Sequence, residues 1–262
     1  MNVRFCFSAE QIKNIALVSM VIDHAAVGLI EQSELASGVA WSLCGTAMRL
    51  MGRVAFPLFA FMIAEGAVHT RDRRRYALRL LLLAVISEIP FDLVAGGTWL
   101  FLADQNTVFT LLLGLLAVWA GDLICGTGPG VSYGTREKTG DGGRKAVGQR
   151  RFPLEYERYI RVLAAVPFGL AAYCLKTDYG FMGVLLIVIL YTLRTEPQLR
   201  TAVCAVFLFC MYMDFYGAAA CVAIFLINRY NGEKGGGNGR IFYLFYPLHL
   251  LVIRGIKMAV GL

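Results

Sequence analysis

Charge is what this chain lacks most. Asp, Glu, Lys and Arg make up only 16% of its 262 residues, against about 25% in an ordinary globular chain. That leaves too little polar sequence to coat a soluble two-domain enzyme. Hydrophobic residues reach 58%, which excludes a disordered or collagen-like chain. Paired cysteines are missing as well. Cys6, Cys44, Cys125, Cys174, Cys204, Cys210 and Cys221 are odd in number, scattered and without a CxxC spacing. Neither a disulfide framework nor a zinc site has support, and no metal is expected. No small-residue cleavage pattern follows the first apolar run, which carries Asp23 and His24, so a signal peptide is not expected there. An internal repeat is also lacking, which weighs against the inverted-repeat transporters.

What remains is a set of long apolar runs, and the mean hydropathy is +0.61. A bilayer core needs about 20 apolar residues per helix. Runs of that kind fall near 12–31, 47–70, 76–97, 106–125, 159–175, 179–194, 200–228 and 240–259. The expected fold is therefore an all-α, polytopic membrane bundle in a single domain. The net charge of +7 is distributed as membrane topology rather than as a nucleic-acid surface. Arg4 and Lys13, the turn Arg71, Arg73, Arg74, Arg75 and Arg79, and the stretch Arg136–Arg161 alternate with residues 32–48 and 98–108, which hold no Lys or Arg. By the positive-inside rule this places the amino terminus in the cytoplasm. For Arg229, Lys234 and Arg240 to be cytoplasmic too, residues 200–228 must cross twice, giving about nine spans. A single tilted helix there would give eight. The Gly-rich, mixed-charge insert 126–157 reads as a flexible cytoplasmic loop.

Ionisable groups inside a bilayer cost about 2.5–3.5 kcal/mol each, so each needs a reason. Asp23 and His24 lie in the middle of the first run, and Arg53, Glu65 and His69 in the second. Glu88 and Asp92 flank Pro90 in the third, Asp178 opens the sixth, and His249 is midway along the last. Glu65 and His69, like Glu88 and Asp92, are four apart and share a helix face; Tyr246 and His249 are three apart. With the amino terminus inside, Arg53, Glu88, Asp92, Asn106 and Asp178 fall in the outer half and Asp23, His24 and His249 near the midplane. A polar cavity from midplane to outer side accounts for all of them. Blander readings stand beside this one. Arg53 paired with Glu88 or Asp92 serves as a structural lock, Asp178 as a helix cap, and the arginine cluster as topology signal alone. A neutral imidazole can act as general base in acyl transfer, but the same constellation suits a proton-coupled carrier.

Five segments carry a resemblance: LVSMVIDH, GRVAFPLFAFMIAEGAVHTRDRRRYALRLLLLAVISEIPFDL, NTVFTLLLGLLAV, TDYGFMGVLLI and YNGEKGGGNGRIFYLFYPLHLL. In these the chain resembles the TraX family, whose named member acetylates the amino terminus of conjugative pilin from acetyl-CoA. The resemblance implies a multi-pass acyltransferase of the bacterial inner membrane. It takes acetyl-CoA as donor and an unidentified amine or hydroxyl acceptor: a pilin-like amino terminus, a glycan, a lipid or a small molecule. Carried over by motif, it implies a catalytic set of His24, Asp23, His249 and Glu88. Arg53, Glu65, Asp92, Asn106, Asp178, Tyr179 and Tyr246 are implied to line the acceptor site. Arg74, Arg75 and Arg79 are expected to attract the phosphates of acetyl-CoA. In this scheme Asp23 or a neighbouring carboxylate orients His24, and His249 or Tyr246 stabilises the oxyanion. Direct transfer and an acetyl-histidine relay both fit. A solute transporter and a non-catalytic assembly partner are the rival classes.

Overall fold

The computed structural model describes residues 6–33, 37–127, 151–236 and 239–261. Most of the 126–157 insert, residues 128–150, lies outside them, as do Arg4, Arg136, Lys138, Arg144, Lys145 and Arg150. Helices make up the fold, and no named strand occurs among the described residues. Local chemistry sets their limits. Helix α1 (Ala9–Ala25) opens on a capping box in which Ser8 and Gln11 satisfy each other's amides, and it runs on as a π-helical turn, Ala26–Glu31. Then come α2 (Val39–Gly52) and α3 (Ala55–His69), broken only at Arg53 and Val54. Asp72 caps α4 (Arg73–Ala95), and Asn106 caps α5 (Thr107–Cys125), which ends on left-handed Gly126. Helices α6 (Leu154–Cys174) and α7 (Gly180–Thr192) follow. Pro197 starts α8 (Pro197–Tyr212), and left-handed Met213 ends it. Asp214 caps α9 (Phe215–Ala220), then α10 (Val222–Asn228) and α11 (Gly239–Ala259) complete the chain.

Three helices form the centre. Nine of fifteen residues are buried in α3, eleven of nineteen in α5 and seven of thirteen in α7. The helices around them turn large apolar side chains outward, among them Leu163, Val206 and Leu244. An apolar exterior around a core that holds polar groups is what a lipid solvent selects. Three stretches, Ala9–Glu31, Val39–His69 and Thr107–Cys125, are long and apolar enough to cross a membrane.

Two expected limits shift. The segment 32–48, expected as an outer loop, is helical from Val39 onward, because its small and apolar residues carry the helix back from the expected second run. The 126–157 loop ends at Pro153, after which α6 begins with Glu155 and Glu157 in its first turn, where acids favour helix formation. The ambiguous run 200–228 breaks at Met213–Asp214, and α8 packs back against α9 and α10.

The two ends of the bundle differ in composition. At the basic end, the chain start pairs with the turn after α10, through Phe7 N to Arg229 O (2.8 Å) and Asn231 N to Phe7 O (3.0 Å). The same end carries a buried cluster: Asp122 accepts from Arg73 (2.5 Å), Tyr191 (2.6 Å), Thr127 (2.9 Å) and Arg161, joining α4, α5, α6 and α7. At the other end, Gln105 N bonds Lys176 O and Asp178 N bonds Gln105 O, both at 2.9 Å.

Candidate functional site

A cavity of about 680 Å³ runs between α1, α3, α4 and α11. Along α1 it is lined by Ala9, Lys13, Leu17, Met20, Asp23 and His24, whose spacing puts them on one helix face. Lys13 and His24 are eleven residues apart, so the cavity extends about 16 Å along the helix at 1.5 Å per residue. Its mouth, at the basic end, holds Lys13, Arg79 and Lys234 together with Glu65, His69, Tyr76 and Tyr243. Glu65 and His69 are bonded to each other at 3.2 Å. The middle is apolar, with Leu80, Leu83 and Leu111. The deep end holds Asp23, His24, Gly52, Thr107, Asp178, Tyr179 and Tyr246.

Two histidines meet at that deep end. His24 Nδ1 and His249 Nε2 are 2.7 Å apart, and His249 Nδ1 lies 3.0 Å from the carbonyl of Phe245. A carbonyl only accepts, so the Nδ1 of His249 carries its hydrogen and its Nε2, in the neutral ring, is an acceptor. His24 therefore donates from Nδ1. The tautomer so assigned leaves a lone pair on His24 Nε2, at a residue that lines the cavity. Tyr246 packs edge-on against both rings, with centroids 6.2 and 5.5 Å away. Its hydroxyl is buried beside Thr107 without a hydrogen bond of full geometry, which leaves its hydrogen able to turn to a bound group.

Asp23 has other partners. Its carboxylate takes Arg49 at 2.5 Å and Arg53 at 3.4 Å, and Arg49 also reaches Glu31 at 3.2 Å. Arg53 lies over Tyr212 and Tyr216. The ion pair expected between Arg53 and Glu88 or Asp92 is thus replaced by one to Asp23, across the α1–α2 contact. The expected orienting of His24 by Asp23 is not what the geometry provides either: His249 fills that place, and its ring nitrogen is accordingly committed to His24. Asp178 accepts from Thr107 Oγ1 at 2.6 Å. Tyr179 takes a left-handed backbone conformation (φ 64°) and stacks on Phe56 at 3.7 Å. A non-glycine residue held there is strained, and Tyr179 lines the cavity.

Other expected site residues lie outside the cavity lining. Glu88 accepts from the backbone and side-chain amides of Asn106, whose own oxygen caps α5 through Val108 N. The two are committed to each other at the α4–α5 junction. Asp92 holds the following loop through Phe101 N at 3.1 Å. Arg74 and Arg75 are exposed, and Arg75 pairs with Asp72. Of the expected cationic set, Arg79 alone lines the mouth.

Sequence reasoning passed over Lys13, Arg49, Asp122 and Lys234 as site or cluster residues. Signals for two of them existed. The eleven-residue step from Lys13 to His24 is three helical turns, and Asp122 is the one charge in an otherwise apolar α5. Among the described residues no group of three or more His, Cys, Asp or Glu is placed to hold a metal ion.

The family described as TraX protein matches residues 8–124 and 153–257, which include the cavity wall, both histidines and Asp122 with its arginine partners. The probable fimbrial assembly protein FimC, serogroup H1, of Dichelobacter nodosus is 26% identical over 276 residues, covering 96% of this chain and 96% of its own length. No solved structure matches the chain significantly.

Proposed function

The chain belongs to the TraX family, and from that premise we propose that it is a multi-pass acetyltransferase of the bacterial cytoplasmic membrane. It moves acetyl from cytoplasmic acetyl-CoA to an amine acceptor. The observation that carries this reading is the His24–His249 pair at the deep end of a cavity whose mouth is basic. Nine crossings with a cytoplasmic amino terminus suit it: α1 with its π-helical turn, α2 with α3, α9 with α10, and each remaining helix crosses once. The basic end, with Arg73, Arg79, Arg161, Arg194 and Lys234, then faces the cytoplasm.

Lys13, Arg79 and Lys234 attract the phosphates of acetyl-CoA at the mouth. The thioester arm lies along the apolar middle and presents its carbonyl at the deep end. There His24 Nε2 takes a proton from the attacking amine as its nitrogen bonds the carbonyl carbon. The imidazolium keeps its Nδ1 hydrogen bonded to His249. The Tyr246 hydroxyl donates to the oxyanion. When the C–S bond breaks, the thiolate takes the proton back from His24 Nε2 and CoA leaves as the thiol. An amine that arrives as a cation is held by the Asp23 or Asp178 carboxylate at the deep end and gives one proton to solvent before its neutral form attacks. The description of the Dichelobacter relative as a fimbrial assembly protein supports a pilus-subunit amino terminus as acceptor.

The test uses purified protein in detergent, acetyl-CoA and a panel of amines and hydroxyl compounds, with release of free CoA as readout. Acceptor-dependent release that falls by about 10²–10⁴ in His24→Ala is the expected result. Wild-type protein that neither binds acetyl-CoA nor releases CoA overturns the reading in favour of a carrier or an assembly partner.

A further inference from the structure

The deep end of the cavity has one wall built unlike the others. Helix α2 buries only Gly45 and Gly52 of its fourteen residues, and Val39, Leu43 and Met51 are more than half exposed. Its glycines let α2 approach α1 and the π-helical turn closely, but α2, unlike α3, places no large apolar side chain in the core. Its C-terminal residue nevertheless lies directly on the site. Gly52 lines the cavity, and a Cβ there would stand 2.2 Å from Asp23 Oδ1.

Polar ties hold this wall. Arg49 and Arg53, one near the end of α2 and one just past it, converge on Asp23 of α1, and Arg49 also takes Glu31. The Ser19 hydroxyl donates to the carbonyl of Met51. Much of the attraction in a partly buried ion pair is offset by desolvation, and Asp23 Oδ1 is buried with no hydrogen bond of its own. The chain can bend on both sides of the wall. Helical geometry is interrupted at Arg53 and Val54 before α3, and α1 ends in the π-helical turn Ala26–Glu31. Such turns recur where helices must move or reshape at functional sites, and a few residues at element ends are enough for a hinge.

We propose that α2 is a movable outer wall of the catalytic cavity, and that the acceptor enters from its side by taking Asp23 over from Arg49. This rests on the acetyltransferase reading given above. A cationic amine seated on the Asp23 carboxylate stands one residue from His24, on the side of the cavity away from the basic mouth. Donor and acceptor thus approach the same imidazole from opposite ends. Until the acceptor replaces it, Arg49 neutralises Asp23 and closes the wall.

The experiment locks the wall. The Cβ built on Gly45 lies 3.9 Å from Ile30 Cβ, within the range that a disulfide spans. The double variant Ile30→Cys with Gly45→Cys, made with Cys44→Ser, joins α2 to the π-helical turn on oxidation. Oxidised protein is expected to keep acetyl-CoA binding and lose acceptor-dependent CoA release, and reduction is expected to restore that release. Full transfer by the oxidised form overturns the proposal, and so does joint loss of donor binding and transfer. Failure of wild-type protein to use acetyl-CoA at all is a different outcome, which sinks the acetyltransferase reading itself. If the double variant does not fold, alkylation of the introduced thiol in Gly45→Cys with Cys44→Ser, followed by peptide mass, reads the same motion. It is expected to quicken when Asp23→Asn removes the latch, and an unchanged rate overturns the proposal.

Discussion

Asp23 and Asp122 each sit between two arginines in an apolar bundle, yet they are built for different ends. Asp122 is 1% exposed, and four donors from Arg73, Thr127, Arg161 and Tyr191 saturate both of its oxygens. It does not line the cavity, and its partners come from four separate segments. Asp23 is 14% exposed, lines the cavity and keeps one oxygen without a full hydrogen bond. Both of its arginines come from one stretch of chain, at the end of α2 and just past it. A saturated carboxylate ties helices together, whereas one with spare capacity beside a lone-pair nitrogen is available to a ligand. The same residue types therefore mark a joint in one place and a candidate ligand site in another, and the number of satisfied lone pairs distinguishes them.

Substitutions can break that contrast. Asp122→Ala leaves Arg73 and Arg161 buried without their partner, and removal of one member of a buried pair costs about 3–5 kcal/mol. Thermal unfolding in detergent should show the largest drop of any variant here, with activity lost along with the fold. His24→Ala should instead leave the melting temperature near that of wild type while CoA release falls. His249→Ala sharpens the assignment of roles. Without a partner at Nδ1, His24 loses its fixed tautomer, so kcat should drop by less than in His24→Ala, with KM for acetyl-CoA unchanged. Equal losses of binding and rate would mark His249 as a donor contact instead. Asp23→Asn should lower the melting temperature less than Asp122→Ala, and should reduce acceptor-dependent release while donor binding persists. The smallest effect belongs to the mouth. Lys234→Ala should raise KM for acetyl-CoA modestly, and the difference from wild type should shrink as salt rises, since exposed charges are screened.

Much of the candidate site is legible in the sequence. Asp23, His24, Asp178, Tyr179 and Tyr246 were marked by the cost of polar groups in apolar runs and by family motifs, and all five line one cavity. Glu88, Asp92 and Asn106 carried equally strong signals. They are committed instead to a helix junction, a cap and a loop, because the same insertion cost is met by structural and functional partners alike. The fold followed the same line. Helix-forming runs and the interruption at Met213–Phe215 are readable from the sequence, whereas the extension of α2 back to Val39 depends on what its residues pack against.

By itself, the sequence determined that this is an apolar helical protein with one basic end and a few costly ionisable groups, since composition and periodicity act along the chain. Only the tertiary structure decided which of those groups face each other. His24 and His249 are 225 residues apart, and no local spacing pairs them. Their partnership, the carbonyl of Phe245 that sets their hydrogens and the arginines that hold Asp23 away from the imidazole arise where α1, α2 and α11 come together. A hydrogen bond depends on distance and direction in space, and neither is written in the order of residues.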